Sequence, residues 1–372
     1  MTVRFDIPKS AQVYLQPTGF CSPNYQTPTT WFQVAGLPIW ANAVRFIARD
    51  YGERIEDITI PCAQIDALVG SLERPDVDQQ WEAMRTPRAT WVMGDRSLSF
   101  ETTKLMGIIN ATPDSFSDGG DHFQPEEAIT AAQAMASLGA NLLDIGGEST
   151  RPGAKTVWEG DEIDRVSPVL AGCRGLGLPL SLDTRKAAVM EQGLSTGADI
   201  INDVSALTYD AESLDLMAGE TCPIILMHAQ GDPQSMQKSP SYEDVVLDVY
   251  DALKDRISAC EAAGIDRTRL CIDPGIGFGK TLRHNLALIN NIGIFHGLGC
   301  PILFGVSRKR FIGALALEDD AKMRLPGSLA AALAGLSQGV HILRVHDVAE
   351  TRQMLDVWGG LRDEQQMPDA LQ

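Results

Sequence analysis

The sequence predicts an α/β protein: a (β/α)8 TIM barrel preceded by a hairpin and by a further folded segment at the N-terminus. Three observations carry this. From Leu105 onward, short apolar stretches alternate with helix-like ones. Eight such units fill about 255 residues, close to the ~250 usual for this barrel. Nearly every apolar stretch ends in a polar side chain, where a barrel would place its chemistry.

In chain order, residues 1–88 hold Trp31, Trp40 and Trp81, too apolar for a flexible tail. Ala41–Asp50 and Cys62–Leu72 read as helices there. Trp91–Phe100 alternates around Gly94-Asp95 and reads as a hairpin that caps the barrel bottom, away from the chemistry. The extension precedes it and is expected to matter for stability or assembly more than for reaction; no function is assigned to it. The domain division is therefore 1–88 and 89–372. The expected strands are Leu105–Asn110, Asn141–Gly146, Leu178–Thr184, Asp199–Val204, Cys222–His228, Leu270–Pro274, Pro301–Val306 and Ile342–Asp347. Between them lie helical patterns such as Glu126–Leu138, closed by Gly139, and Glu243–Ala263, closed by Gly264, glycine being the usual helix stop. Strands apolar on both faces and alternating with helices mean a parallel sheet covered on both sides. A doubly wound open sheet is the alternative.

Composition narrows the function. With 49 acidic and 31 basic side chains the net charge is −18, which argues against a nucleic-acid or anionic-membrane partner. The seven cysteines are scattered without a Cys-x-x-Cys, as expected of reduced thiols in a cytoplasmic protein. The N-terminus lacks a signal-peptide pattern, and the most apolar stretch, Leu325–Leu343, is interrupted by polar residues. The expectation is a soluble protein.

The polar strand ends are Asn110, Asp144, Asp183, Asn202-Asp203, His228, Asp273, Ser307-Arg308-Lys309 and Arg344 with His346. A single aspartate after a strand is usually a cap or turn former. Eight coincidences are harder to explain that way. Asp183, Asn202 and Asp273 suit a flat nitrogen heterocycle that presents several N–H groups. Arg344 and His346, two apart on one strand, share a face. With Lys309 they form the cationic cluster an acidic protein needs to hold an anion. Two loops rich in small residues, Ala111–Gly120 and Gly146–Gly153, read as mobile lids bearing Phe116 and Arg151. Gly275-Ile-Gly-Phe-Gly-Lys-Thr281 only imitates a phosphate loop, because the first required glycine falls at Pro274. It reads instead as a tight turn that lets Phe278 approach a ligand.

Together these stretches resemble the dihydropteroate synthase family. Met106–Gly120 is similar to its first signature and Asp144–Gly153 to its second. Ser181–Thr184, Ile201–Val204, Leu226–His228, Asp273–Lys280, Ser307–Lys309 and Arg344–Val348 follow in the family's order, over about Trp91 to Gly360. The resemblance implies condensation of 6-hydroxymethyl-7,8-dihydropterin diphosphate with 4-aminobenzoate, giving 7,8-dihydropteroate and diphosphate through a pterin cation. It implies Mg²⁺ on Asn110, the pterin on Asp183, Asn202, Asp273 and Lys309, and the diphosphate side on Thr150, Arg344 and His346. Phe116, Arg151, Pro152 and Phe278 would frame the aminobenzoate. Asp118 would sit near the cation and, with Asp273 and Lys309, form the catalytic set. It also implies a homodimer, in a family that sulfonamides target. Arg185, Ala229 and Arg310 depart from the family pattern and bear on the aminobenzoate contacts. The alternatives are a methyltetrahydrofolate–corrinoid methyltransferase-like barrel, which would not need the Thr112–Gly120 loop or the Arg344/His346 pair, and a non-catalytic paralogue acting as a binding protein.

Overall fold

The computed structural model describes residues 7–21, 29–112, 124–149, 153, 154, 156–231 and 236–362. The extension begins with an antiparallel sheet of β1 (Gln12–Cys21), β2 (Phe32–Gln33), β3 (Trp40–Asp50) and β4 (Glu53–Pro61), in which β3 pairs with all three others. Helices α1 (Cys62–Leu72) and α2 (Pro75–Arg85) follow. The helix expected over Cys62–Leu72 is present; the one expected over Ala41–Asp50 is instead strand β3. Its alternation is hidden because both faces are covered. Val44, Phe46 and Ala48 enter the extension's own core with Val13, Leu15, Ile65 and Met84. Ile47, on the opposite face, joins the barrel's core beside Tyr14. Burying such side chains contributes about 1.5–3 kcal/mol each, which holds the extension against the barrel.

The hairpin is present as β5 (Trp91–Met93) and β6 (Arg96–Leu98). Trp91, Met93, Leu98 and Phe100 pack on Met106, Leu142, Ile200, Ile225, Cys271, Leu303 and Ile342, residues at or near the start of barrel strands. The hairpin therefore plugs the bottom of the barrel, as its sequence suggests.

The barrel strands are β7 (Lys104–Asn110), β8 (Leu142–Gly146), β9 (Leu180–Asp183), β10 (Ile200–Asp203), β11 (Ile224–Met227), β12 (Leu270–Asp273), β13 (Leu303–Phe304) and β14 (Ile342–Val345). All pairs are parallel, in the order β12-β11-β10-β9-β8-β7-β14-β13. An Ile272–Ile302 bridge joins the ends, so the sheet is an almost closed barrel rather than an open doubly wound one. The covering helices are α3 (Pro125–Ser137), α4 (Glu159–Cys173), α5 (Ala187–Thr196), α6 (Ser213–Gly219), α7 (Val245–Ala262), α8 (Leu282–Asn290), α9 (Arg310–Ala316), α10 (Leu325–Leu336) and α11 (Val348–Arg362). The expected stops Gly139 and Gly264 take positive φ just past α3 and α7.

The extension does not stay at the bottom. Arg88 anchors it there by donating to the carbonyl of His296, at 3.0 Å. The end of the extension where β3 turns into β4 reaches the N-terminal end of α7, which lies at the barrel mouth: Arg49 pairs with Asp248 and Arg54 with Asp244. All seven cysteines are free thiols. Among the described residues no helix is long and apolar enough to cross a membrane.

Candidate active site

The mouth is assembled by strand register. Asn110 lies opposite Gly146, Gly146 opposite Asp183, and Asp183 opposite Asn202, while Met227 pairs with Asp273. One level of the barrel thus carries the amide and carboxylate groups that the sequence singles out. Arg344 enters from β14. Its Nε donates to Asp144 Oδ2 at 2.6 Å and its terminal nitrogen to Asp183 Oδ2 at 2.8 Å. The structure therefore brings Asp183, Asn202, Asp273 and Arg344 to one pocket, floored by Asp144.

Asp144 has no assigned role in the sequence reading, yet it is the hub. It is fully buried and accepts from Ser181 Oγ at 2.6 Å and from Asn202 Nδ2 at 3.1 Å as well as from Arg344. It satisfies its neighbours rather than facing a ligand. Asp183 is different. Its Oδ1 is buried and has no hydrogen-bond partner among the described residues. A buried acceptor left open in this way costs about 1–3 kcal/mol unless something occupies it. Burial pushes the Asp183 carboxyl up to about 8, against the pull of Arg344. Burial also raises Asp273, opposed by the Gly275 N–H, at 2.7 Å from its Oδ1, and by Lys309.

These carboxylates suit a ligand that donates N–H groups to them, and such a ligand needs Asp183 ionised. At pH 7 binding is therefore expected to release a proton, and affinity to rise up to about tenfold per pH unit until pH nears 8. Calorimetry in buffers of different ionisation enthalpy measures this directly. Proton uptake, or none, would mean that Asp183 binds as the neutral acid.

The glycine-rich turn after β12 seats the remaining groups. A Cβ at Gly275 would stand 1.9 Å from the His228 carbonyl oxygen, and Gly275 and Gly277 both have positive φ. Only glycine lets the turn fold so tightly. Phe278 consequently sits with its ring centroid 4.2 Å from Lys309 Nζ, which donates to the Ile276 carbonyl at 2.8 Å. The buried Lys280 staples the turn from beneath by donating to the carbonyls of Phe278 and His228. Its Nζ also lies 3.0 Å from His228 Nδ1. Burial lowers Lys280 to about 7 and His228 to about 3, the latter helped by Lys280, so the imidazole is neutral and accepts. Lys280 stands in a motif the sequence already marks, but its burial is not readable there.

His346 Nδ1 lies 3.0 Å from Ser307 Oγ, whose strand neighbours Arg344 and His346 at the mouth. Arg308, at φ +57°, pairs with Asp347 instead of facing the pocket. Among the departures, Arg185 donates to Glu148 and lies 3.8 Å over the Tyr209 ring. Glu148 also takes Lys186 and the Val157 N–H, and these partners outweigh burial to hold its carboxyl below the usual range. The cluster pins the base of the second signature loop. Arg310 opens α9 and is exposed, and nothing in the structure assigns Ala229 a role. Phe116, Asp118, Thr150, Arg151 and Pro152 lie outside the described residues, as does most of the first lid loop.

Asn110 ends β7 half-buried. Among the described residues no group of three or more His, Cys, Asp or Glu could cage a metal. Asn110 offers one neutral side-chain oxygen at the mouth, so a Mg²⁺ held there would take most of its shell from phosphate oxygens and water.

Comparison with known proteins agrees with this geometry. The family model for pterin-binding enzymes matches residues 106–346. Dihydropteroate synthase of Neisseria meningitidis serogroup C is 48% identical over 278 residues, which is 74% of this chain and 98% of that protein. The Escherichia coli K12 dihydropteroate synthase is 44% identical over 262 residues, covering 70% and 92%. The solved dihydropteroate synthase of Xanthomonas albilineans with 4-aminobenzoic acid superposes with a TM-score of 0.70 at 44% identity, over 75% of this chain and 99% of that one. The same enzyme with 7,8-dihydropteroate gives 0.68 at 41% identity, over 75% and 100%. With the barrel, its carboxylate pocket and these matches in hand, the chain belongs to the dihydropteroate synthases of the pterin-binding enzyme family.

Proposed function

We propose that the chain joins 6-hydroxymethyl-7,8-dihydropterin diphosphate to 4-aminobenzoate, forming 7,8-dihydropteroate and diphosphate, by a dissociative route through a pterin cation. The open, buried Asp183 Oδ1 carries this reading, since it awaits an N–H donor at the depth where a flat heterocycle would lie. Asp183, Asn202 and Asp273 bind the pterin edge, and Lys309, held against the glycine turn through the Ile276 carbonyl, covers it. When the C–O bond breaks, its electron pair leaves with diphosphate. The buried carboxylates Asp183 and Asp273 then stabilise the cation in place without reorganising. The amine nitrogen supplies the pair for the new C–N bond and loses a proton to diphosphate or solvent.

Arg344 and His346 hold the leaving diphosphate, together with Thr150 carried over from the family resemblance. Asn110 would hold Mg²⁺, which supplies charge neutralisation for the leaving group when bound. Phe278 frames the aminobenzoate, with Phe116, Arg151 and Pro152 carried over in the same way; Asp118 is placed near the cation on that basis too. A cytoplasmic homodimer is the proposed setting, supported by the free thiols for the compartment and by the family resemblance for the assembly. The deciding assay is diphosphate release that requires 4-aminobenzoate. Release without the amine, or none with it, would overturn the reading. A methyl-transferring pterin barrel would release none.

Arg344→Ala is expected to weaken the diphosphate substrate about tenfold or more beyond any loss for the bare pterin alcohol, because a charged hydrogen bond contributes about 1.5–3 kcal/mol. Titration calorimetry with both ligands measures the difference. Equal losses would restrict Arg344 to the pterin side, where Asp144 and Asp183 already hold it.

A further inference from the structure

The extension lies outside the stretch that the family model matches, yet it reaches the catalytic mouth through α7. The turn between β3 and β4 is Tyr51-Gly52, and a Cβ at Gly52 would stand 2.5 Å from Glu243 Oε2. Two carboxylates organise the first turn of α7 beside it. Asp244 Oδ1 accepts from the backbone N–H groups of Val246 and Leu247, and its Oδ2 accepts from Arg54 Nε at 2.6 Å. Asp248 Oδ2 accepts from the N–H groups of Glu243 and Asp244, and its Oδ1 accepts from Arg49 at 2.6 Å. Each capping carboxylate therefore spends one oxygen on the helix start and the other on an arginine of the extension. Arg49 and Tyr14 continue the contact one turn lower, on Asp251.

The residues just before this cap lie on the catalytic turn. Tyr242 OH donates to the Gly279 carbonyl at 2.9 Å, and Gln237 Nε2 donates to that of Gly277 at 2.6 Å. Gln230 and Ser241 close the same segment with two hydrogen bonds. Gly277 and Gly279 flank Phe278, the ring beneath Lys309. Arg54 thus grips Asp244, the chain runs from Asp244 back to Tyr242, and the Tyr242 hydrogen bond to Gly279 ends on the turn that carries Phe278.

We propose that the extension positions the aminobenzoate side of the active site: Arg54 and Arg49 fix the α7 cap, the cap fixes the 236–242 segment, and that segment fixes the glycine turn. Loop segments between β-strand and helix are otherwise the least constrained part of such a mouth. Small displacements of groups that orient a substrate are expensive in rate. The proposal rests on the synthase reading for its substrates, but Arg54 is a positioning residue and touches none of them.

The test uses the full chain with Arg54→Ala, Tyr242→Phe and both together. Arg54→Ala is expected to raise KM for 4-aminobenzoate about fivefold or more, the low end of usual coupling, while KM for the dihydropterin diphosphate moves less than about twofold on the same scale. The double variant is expected to be no worse than the more affected single one, as for residues on one path. Arg54→Lys, which keeps the charge but not the fork shared with Asp57, is expected to recover part of the loss. Independently of turnover, hydrogen exchange is expected to rise in 236–242 and 275–280. Equal KM changes for both substrates, additive effects, or exchange confined to the extension would overturn the proposal. Absent aminobenzoate-dependent diphosphate release in the unmodified chain would instead overturn the synthase reading, and the exchange result would still decide the positioning path.

Discussion

Asp183→Asn is expected to lower kcat/KM by about 10- to 150-fold or more while making the protein more stable. The loss follows from removing a charged acceptor worth about 1.5–3 kcal/mol to a bound pterin. The gain follows from the same burial. Asp183 Oδ1 lies buried and unpartnered, and burial raises the carboxyl from 3.8 to about 8. A carboxyl raised on folding adds stability through its proton, fully below its unfolded pKa and lost as pH climbs through the folded one. Above pH 8 the folded protein therefore carries a buried charge that asparagine would not. The stabilisation by Asp183→Asn should accordingly be larger at pH 8.5 than at pH 5. Thermal melts at both pH values, with steady-state kinetics, check this. A variant less stable at pH 8.5 would mean that the Arg344 pair outweighs burial, and unchanged kcat/KM would remove Asp183 from the site.

Much of this site was legible without coordinates because a parallel barrel separates its jobs along each strand. The apolar middle is packing, so a polar residue at the end, such as Asp183, Asn202 or Asp273, has few reasons to be there except the mouth. The same logic offers no physical ground for the choice of Asp183 over Asp144 as the aspartate that meets a ligand, although Asp183 is the one chosen. Asp144 and Asp183 look alike in sequence, and only the three donors around Asp144 reveal that it is already satisfied. The Glu148 cluster was unreadable for a related reason, since Arg185 and Lys186 reach it from beyond β9, and Lys186 is shared with Glu162 of α4. Strand β3 was misread as helix because both of its faces are buried and its two arginines face acceptors rather than water. Its ion pairs to α7 are what lift the extension from the barrel bottom to the mouth, and no local pattern encodes them.

Asp144→Ala is expected to act opposite to Asp183→Asn on stability, although both aspartates bind the same arginine. Asp144 is fully buried and every hydrogen bond it makes is to a group that is itself buried or half-buried: Ser181, Asn202 and Arg344. Alanine removes the acceptor from all three at once. Breaking one partner out of a buried charge pair costs about 3–5 kcal/mol, because the remaining charge stays out of water. For a chain of this size that corresponds to a melting temperature lower by on the order of 10 °C. Activity should fall with it, since Asn202 and Arg344 would lose the group that orients them toward the ligand. Asp144→Asn keeps an acceptor of the same shape but cannot neutralise Arg344, so it should lie between alanine and the unmodified protein in both respects. Differential scanning calorimetry and kinetics on the three proteins give the comparison. An Asp144→Ala protein that melts at the unmodified temperature would show that water reaches Ser181, Asn202 and Arg344, and that the pocket floor is not the dry, satisfied network its hydrogen bonds describe.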